Sequence, residues 1–218
     1  MKLYQLTLCA AVFAFLLLAG CSGGSGGNGS APSAPSAPPV NVSDYYPLLN
    51  GRTWTYTTTT NNIVQVPYTV ACAGPISWQG NNSYVMTSSN VSDNTLYVNW
   101  AGNGLVCYGD LVNSATPPQI VVNTPPTLQL PSDISAGYQW TQTSSAGTFT
   151  GSVLGITTIV VAAGTFNNAL EIQMSTTVGS SNMTSTQTDW YVPGVGMVKQ
   201  MLTNDTGNRT AELQSYTQ

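Results

Sequence analysis

The sequence predicts an all-β fold, a curved antiparallel sheet or open barrel of about ten strands, preceded by a signal peptide and a disordered linker. Three observations lead there. From Asp44 onward apolar and polar residues alternate with period two, as in strands with one buried and one wet face. Clusters of Gly, Asn and Pro punctuate these runs at short intervals. No window carries a sustained helical repeat with a capping box.

The chain begins with a positive Met1-Lys2, an apolar run from Leu3 to Leu18, and the small pair Ala19-Gly20. This reads as a signal peptide over residues 1–20. From Leu3 to Ala19 the run is short for a span, which needs roughly 20 apolar residues, and no basic cluster follows it. Leu18-Ala19-Gly20-Cys21 resembles the lipobox of bacterial lipoproteins. The resemblance implies cleavage before Cys21 and a diacylglycerol on its sulfur. At ~0.8 kcal/mol per buried methylene, two or three chains make a lasting anchor. Ser22 stands where lipoproteins kept at the inner membrane tend to carry Asp, so the same resemblance implies the outer membrane. Residues 21–43 are then the lipidated cysteine and a tether of Gly/Ser followed by Ala-Pro-Ser repeats, too poor in apolar surface to fold. The expected partners are the membrane, through the N-terminal lipid, and a lipid or an envelope protein within reach of the tether.

Residues 44–218 read as a single β-rich domain. Trp54 and Tyr56 alternate with threonines in a strand at 52–60, and Val64, Val66, Tyr68, Val70 and Cys72 share one face of the next, 63–72. Strands follow at 82–89, 95–100 and 104–109. Ser114 to Ser135 holds Pro117, Pro118, Pro125, Pro126 and Pro131, which argue against a central strand, so it reads as a long connection. The second half supplies 138–145, 148–161, 169–178, 184–192 and 196–203, with 209–216 as a last strand. In 169–178, Leu170, Ile172 and Met174 oppose Glu171, Gln173 and Ser175. Pro193-Gly194 suits a type II turn, and Gly164-Thr165-Phe166 a bend pinned by its phenylalanine. Gly51-x-x-Trp54 and Gly137-x-x-Trp140 both lead into Thr-rich strands, which suggests a duplicated unit with halves near 44–113 and 130–218.

Three longer stretches carry a second resemblance. They are Tyr45-Tyr46-Pro47-Leu48 with Gly51-x-x-Trp54-x-Tyr56, Val160-Val161-Ala162-Ala163-Gly164-Thr165-Phe166, and Trp190-Tyr191-Val192-Pro193-Gly194-Val195-Gly196-Met197-Val198-Lys199. Together they are similar to uncharacterised Gram-negative envelope lipoproteins with G-x-x-W-x-Y, V-P-A-G-T-F and W-Y-x-P-G-V-G-x-V-K patterns, Ala162 replacing the usual proline. The resemblance implies a curved antiparallel sheet approaching an open barrel, and lends no catalytic activity.

Residue chemistry narrows function further. Four Lys and Arg face eight Asp and Glu, for a formal charge of −4, so no basic surface exists for nucleic acid. There is no histidine, which excludes Ser-His and Cys-His nucleophile systems, and no phosphate-cradling loop appears. No cofactor and no metal is expected. Cys72 and Cys107 are the cysteines left after Cys9 and Cys21, and in an oxidising compartment they are expected to pair. Closing their 35-residue separation would be worth roughly 4 kcal/mol. The chain is therefore expected to be a non-enzymatic binding or interaction module, with an apolar ligand against Trp54, Trp140 and Trp190 on the concave face, or a structural partner in an envelope complex. The enzymatic alternative is carbohydrate cleavage by Glu171 and Asp189.

Overall fold

The structure, a computed structural model, describes residues 41–90, 95–112, 119–145, 147–178 and 183–217. The expected signal peptide, Cys21 and all of the tether up to residue 40 lie outside them. The Asn41 side chain accepts from the Ser43 N–H and caps a 3-10 turn, Val42–Tyr45, which carries Tyr45 into the interior.

Strands follow at β1 (Thr53–Thr60), β2 (Ile63–Val64), β3 (Tyr68–Trp78), β4 (Asn81–Ser88), β5 (Thr95–Ala101), β6 (Gly104–Val112), β7 (Gln119–Pro131), β8 (Gln139–Ser144), β9 (Gly147–Val161), β10 (Gly164–Val178), β11 (Met183–Val192), β12 (Gly196–Asn204) and β13 (Gly207–Tyr216). Every pairing is antiparallel, in the order β7-β6-β5-β4-β3-β1-β13-β12-β11-β10-β9-β8, with β2 a short ribbon on β1. This is the all-β curved sheet the alternation predicts, rolled into a nearly closed barrel. Leu105, Leu130, Leu170, Ile172 and Leu213 are fully buried on its inner face.

The order resolves into two six-stranded meanders, β1 with β3–β7 and β8–β13, joined where β1 meets β13. The first and last strands of each half occupy equivalent places, so the counterpart of the β1–β13 seam is the meeting of β8 with β7. The first seam is a backbone ladder running from Trp54↔Tyr216 to Thr60↔Arg209. The second is closed largely by side chains. Leu128 N–H donates to Gln142 Oε1 at 2.7 Å, and Gln142 Nε2 donates to the Pro126 carbonyl, so one side-chain amide stands in for a peptide group. Beyond the end of β8, Ser145 N–H donates to the Thr124 carbonyl at 3.0 Å and Ser145 Oγ to the Val122 carbonyl at 3.0 Å.

The echo between halves extends to individual hydrogen bonds. Gly51 N–H donates to the Cys72 carbonyl (2.9 Å), and Cys72 N–H returns one to Arg52 (2.8 Å). Gly137 N–H likewise donates to Val153 (2.8 Å), and Val153 N–H to Tyr138 (2.9 Å). Both glycines sit at positive φ, +85° and +87°, a region that an L side chain strains to enter.

Two sequence expectations need correction. The Pro-rich stretch is not merely a connection, because Gln119–Pro131 forms β7. Its pairing with β6 jumps from Gly109↔Val122 to Cys107↔Thr127, so Pro125 and Pro126 fall in an irregularity where no ladder bond is asked of them, on the end strand of the sheet order. The strand expected at 63–72 is split at Pro67, and its second part runs on to Trp78.

Candidate functional site

The expected tryptophan groove divides between two faces. Trp54 is buried, and its Nε1–H donates to the Val195 carbonyl at 2.6 Å. Val195 closes the turn Val192-Pro193-Gly194-Val195 with a 3.0 Å bond to the Val192 carbonyl, and Gly194 at φ +72° gives the expected type II geometry. A Cβ on Gly196 would lie 3.1 Å from Trp54 Nε1, so glycine is what lets that hairpin rest on the indole. Arg52 donates to the Gly194 carbonyl and lies over Trp54 (5.5 Å) and Tyr216 (5.8 Å). Trp140 also points inward, filling the space over Gly151, where an added Cβ would come within 2.1 Å of its Cζ2. Both indoles are therefore packing elements. Trp190 faces outward beside Lys199, its register partner, whose Nζ is 6.0 Å from the ring centroid.

The proposed carboxylate pair is separated too. Asp189 is paired with buried Ile172 and faces inward, whereas Glu171 is paired with Trp190 and faces outward. No water or substrate could lie between them, so the carbohydrate-cleaving arrangement is not assembled. Asp189 instead forms the centre of a closed polar network. Its Oδ2 accepts from Gln187 Nε2 (2.6 Å) and the Tyr191 hydroxyl (3.1 Å), its Oδ1 from Gln200 Nε2 (3.1 Å). Burial pushes its pKa up to about 6, and the three donors restrain the rise. The Tyr191 hydroxyl is raised well above its ordinary range, first by burial and then by the neighbouring carboxylate. Tyr46, from the segment after the 3-10 turn, packs edge-on against Tyr191 with centroids 6.0 Å apart.

Cys72 and Cys107 are both buried and free. The expected disulfide is not formed, because β4 and β5 lie between β3 and β6. Three steps of ~4.8 Å separate the strands, beyond the ~7 Å Cα limit for a bridge. Burial pushes the thiols up to about 11 and about 12, which leaves them protonated and inert. The Cys107 side reads as structural: Asn123 Nδ2 donates to its carbonyl at 3.4 Å, and Thr127 Oγ1 to the same oxygen at 3.5 Å.

With the inner face committed to packing, the outer wall of the second half remains. There the register lines up uncharged polar side chains across strands. One row runs Thr141, Thr150, Ser175, Thr186, Thr203, Asn208, and the next Gln139, Ser152, Gln173, Thr188 before reaching Met201. Cross-strand hydroxyls meet at Thr143/Thr148 (3.1 Å) and Thr141/Thr150 (3.4 Å). A cleft of about 160 Å³ opens in this wall across β8, β9 and β10, lined by Gln139, Thr150, Gly151, Ser152, Gln173 and Ser175. Trp190 stands on the same face, one strand over and two residues along from Thr188, the partner of Gln173. The sequence showed the polar halves of these strands, but the rows depend on register between segments far apart in the chain.

A family profile described as DUF3108-like matches residues 120–218. No curated protein matches the chain. Two solved structures are similar to it. One is a candidate lipoprotein from Parabacteroides distasonis, with 12% identity over 79% of this chain and 98% of that one, at a TM-score of 0.40. The other is a candidate exported protein with a YmcC-like fold from Bacteroides fragilis, with 10% identity over 79% and 98% of the two chains, at a TM-score of 0.43.

Proposed function

We propose that this chain is a lipid-anchored protein of the bacterial outer membrane whose β-domain is a non-enzymatic interaction module presenting its outer wall to a partner. The single observation that carries the reading is the division of the sheet's two faces. Trp54, Trp140 and the Asp189 network consume the inside, while the β8–β12 wall offers rows of uncharged hydrogen-bonding groups beside Glu171 and Lys199 and the exposed Leu154, Ile156 and Met201. The anchor rests on Leu18-Ala19-Gly20-Cys21 and the tether behind it. An interior apolar ligand loses its support, since the indoles expected to line a groove are packed against the Val195 turn and Gly151.

The test is photo-cross-linking in living cells from a crosslinker placed at Thr141 or Thr188 of the full chain, with Cys21→Ala as the unanchored control. A discrete adduct from the wall positions that weakens without the anchor is expected. Absence of any adduct from either position in the membrane-anchored protein counts against the reading, as does failure of labelled palmitate to enter the wild-type chain.

A further inference from the structure

We propose that the cleft on the β8–β10 wall binds a neutral carbohydrate chain, with Gln139, Gln173, Thr150, Ser152 and Ser175 as its hydrogen-bonding floor and Trp190 as its flanking aromatic surface. The proposal rests on the outer-wall reading above and names the chemistry of what that wall holds.

The lining decides the ligand class by elimination. No residue lining the cleft itself is ionisable; beside it Trp190 has Glu171 and Lys199 as its cross-strand partners, and Lys199 is engaged with Glu212 at 2.6 Å. A phosphate- or sulfate-bearing polymer therefore finds no countercharge here. An apolar protein surface or acyl chain would leave the Gln139, Ser152, Gln173 and Ser175 side chains facing it unsatisfied, Thr150 having Thr141 across the strands. A polyhydroxylated, uncharged ligand supplies both donors and acceptors for these groups, and its ring faces suit the carbon atoms of the same lining. The spacing also suits an extended polymer: register partners stand ~4.8 Å apart across strands and same-face neighbours roughly 6.8 Å apart along them. The row continues past the cleft to Thr188, and from there to Trp190, a half-buried indole packed against the core with Lys199 Nζ 6.0 Å from its ring centroid, whose exposed part is suited to the apolar side of a sugar ring. At about 160 Å³ the cleft is several times the ~30 Å³ share of one water, so it is a place for a ring and not only for solvent.

The experiment is affinity electrophoresis of the full, detergent-extracted chain in native gels cast with laminarin, hydroxyethylcellulose, dextran or galactomannan, with alginate as the anionic control. Retardation by at least one neutral polymer and none by alginate is expected. Thr150→Lys, an exposed position that leaves the core untouched, is expected to weaken binding by about tenfold or more, and Trp190→Ala by a similar factor, with the thermal transition of each variant checking its fold. Absence of retardation on all four neutral polymers overturns the proposal, and so does retardation unchanged in a folded Thr150→Lys. A protein adduct captured at Thr141 or Thr188 without glycan binding would leave the outer-wall reading standing and sink this one, so the two failures are distinguishable.

Discussion

Asp189 is a carboxylic acid in the wrong place for an ordinary aspartate, and its titration is measurable. Its folded pKa, about 6, stands above the usual 3.8, because burial penalises the charge more than three neutral donors favour it. Between those values the folded state keeps a proton that the unfolded chain has released. Stability from this group is therefore full below pH ~4 and is lost as pH rises through about 6, by on the order of 3 kcal/mol. Asp110, raised to about 6 mainly by burial, adds in the same direction. Denaturant unfolding at pH 4, 5, 6 and 7.5 is expected to show this decline, and Asp189→Asn to flatten it, since Gln187 or Gln200 can turn its amide to accept. Identical slopes in both proteins would refute the assignment. Gly151 makes the complementary point about packing: Gly151→Ala thrusts a methyl within 2.1 Å of Trp140 and is expected to cost about 2–3 kcal/mol in the same assay. Position 151 gives no hint of this in the sequence, where it is one more glycine in a Thr-rich run.

At the level of strands, the two seams of the barrel invite a direct comparison. The β1–β13 seam is a backbone ladder with one irregularity between Thr55 and Tyr56, while β7–β8 leans on the Gln142 amide and on Ser145. Gln142→Ala leaves the Leu128 N–H and Pro126 carbonyl without their partner, and should lower stability by about 1–2 kcal/mol. Hydrogen exchange should then speed up at Leu128 and Ser145 before it does along β1 and β13. Uniform acceleration across both seams would show that Gln142 is not a local fastener. The strands themselves were legible because alternation is a local property, and nearly every expected strand is present. What was misread involves β7, where five prolines in the stretch hid a strand whose irregular register lets two of them escape the ladder. Proline rules speak of ladder positions, and ladder positions are not local.

For the molecule as a whole, the separation of Cys72 from Cys107 means that no covalent cross-link among the described residues adds to stability. Thermal unfolding should be unchanged by reductant, and both thiols should react with an alkylating agent only after denaturation. A reductant-sensitive transition would contradict the strand order. The sequence by itself determined the fold class, the turn at Pro193-Gly194, the paired Gly-x-x-Trp entries and a charge-poor, histidine-free chemistry, because each follows from residue identity and near-neighbour spacing. Only the tertiary structure decided that Trp190 and Glu171 face outward while Trp54, Trp140 and Asp189 face inward, that the cysteines lie three strands apart, and that separate threonine-rich strands align into one wall. The reason is register: a one-residue slip exchanges the two faces of a strand, and register is fixed by pairing between segments that the linear sequence keeps apart.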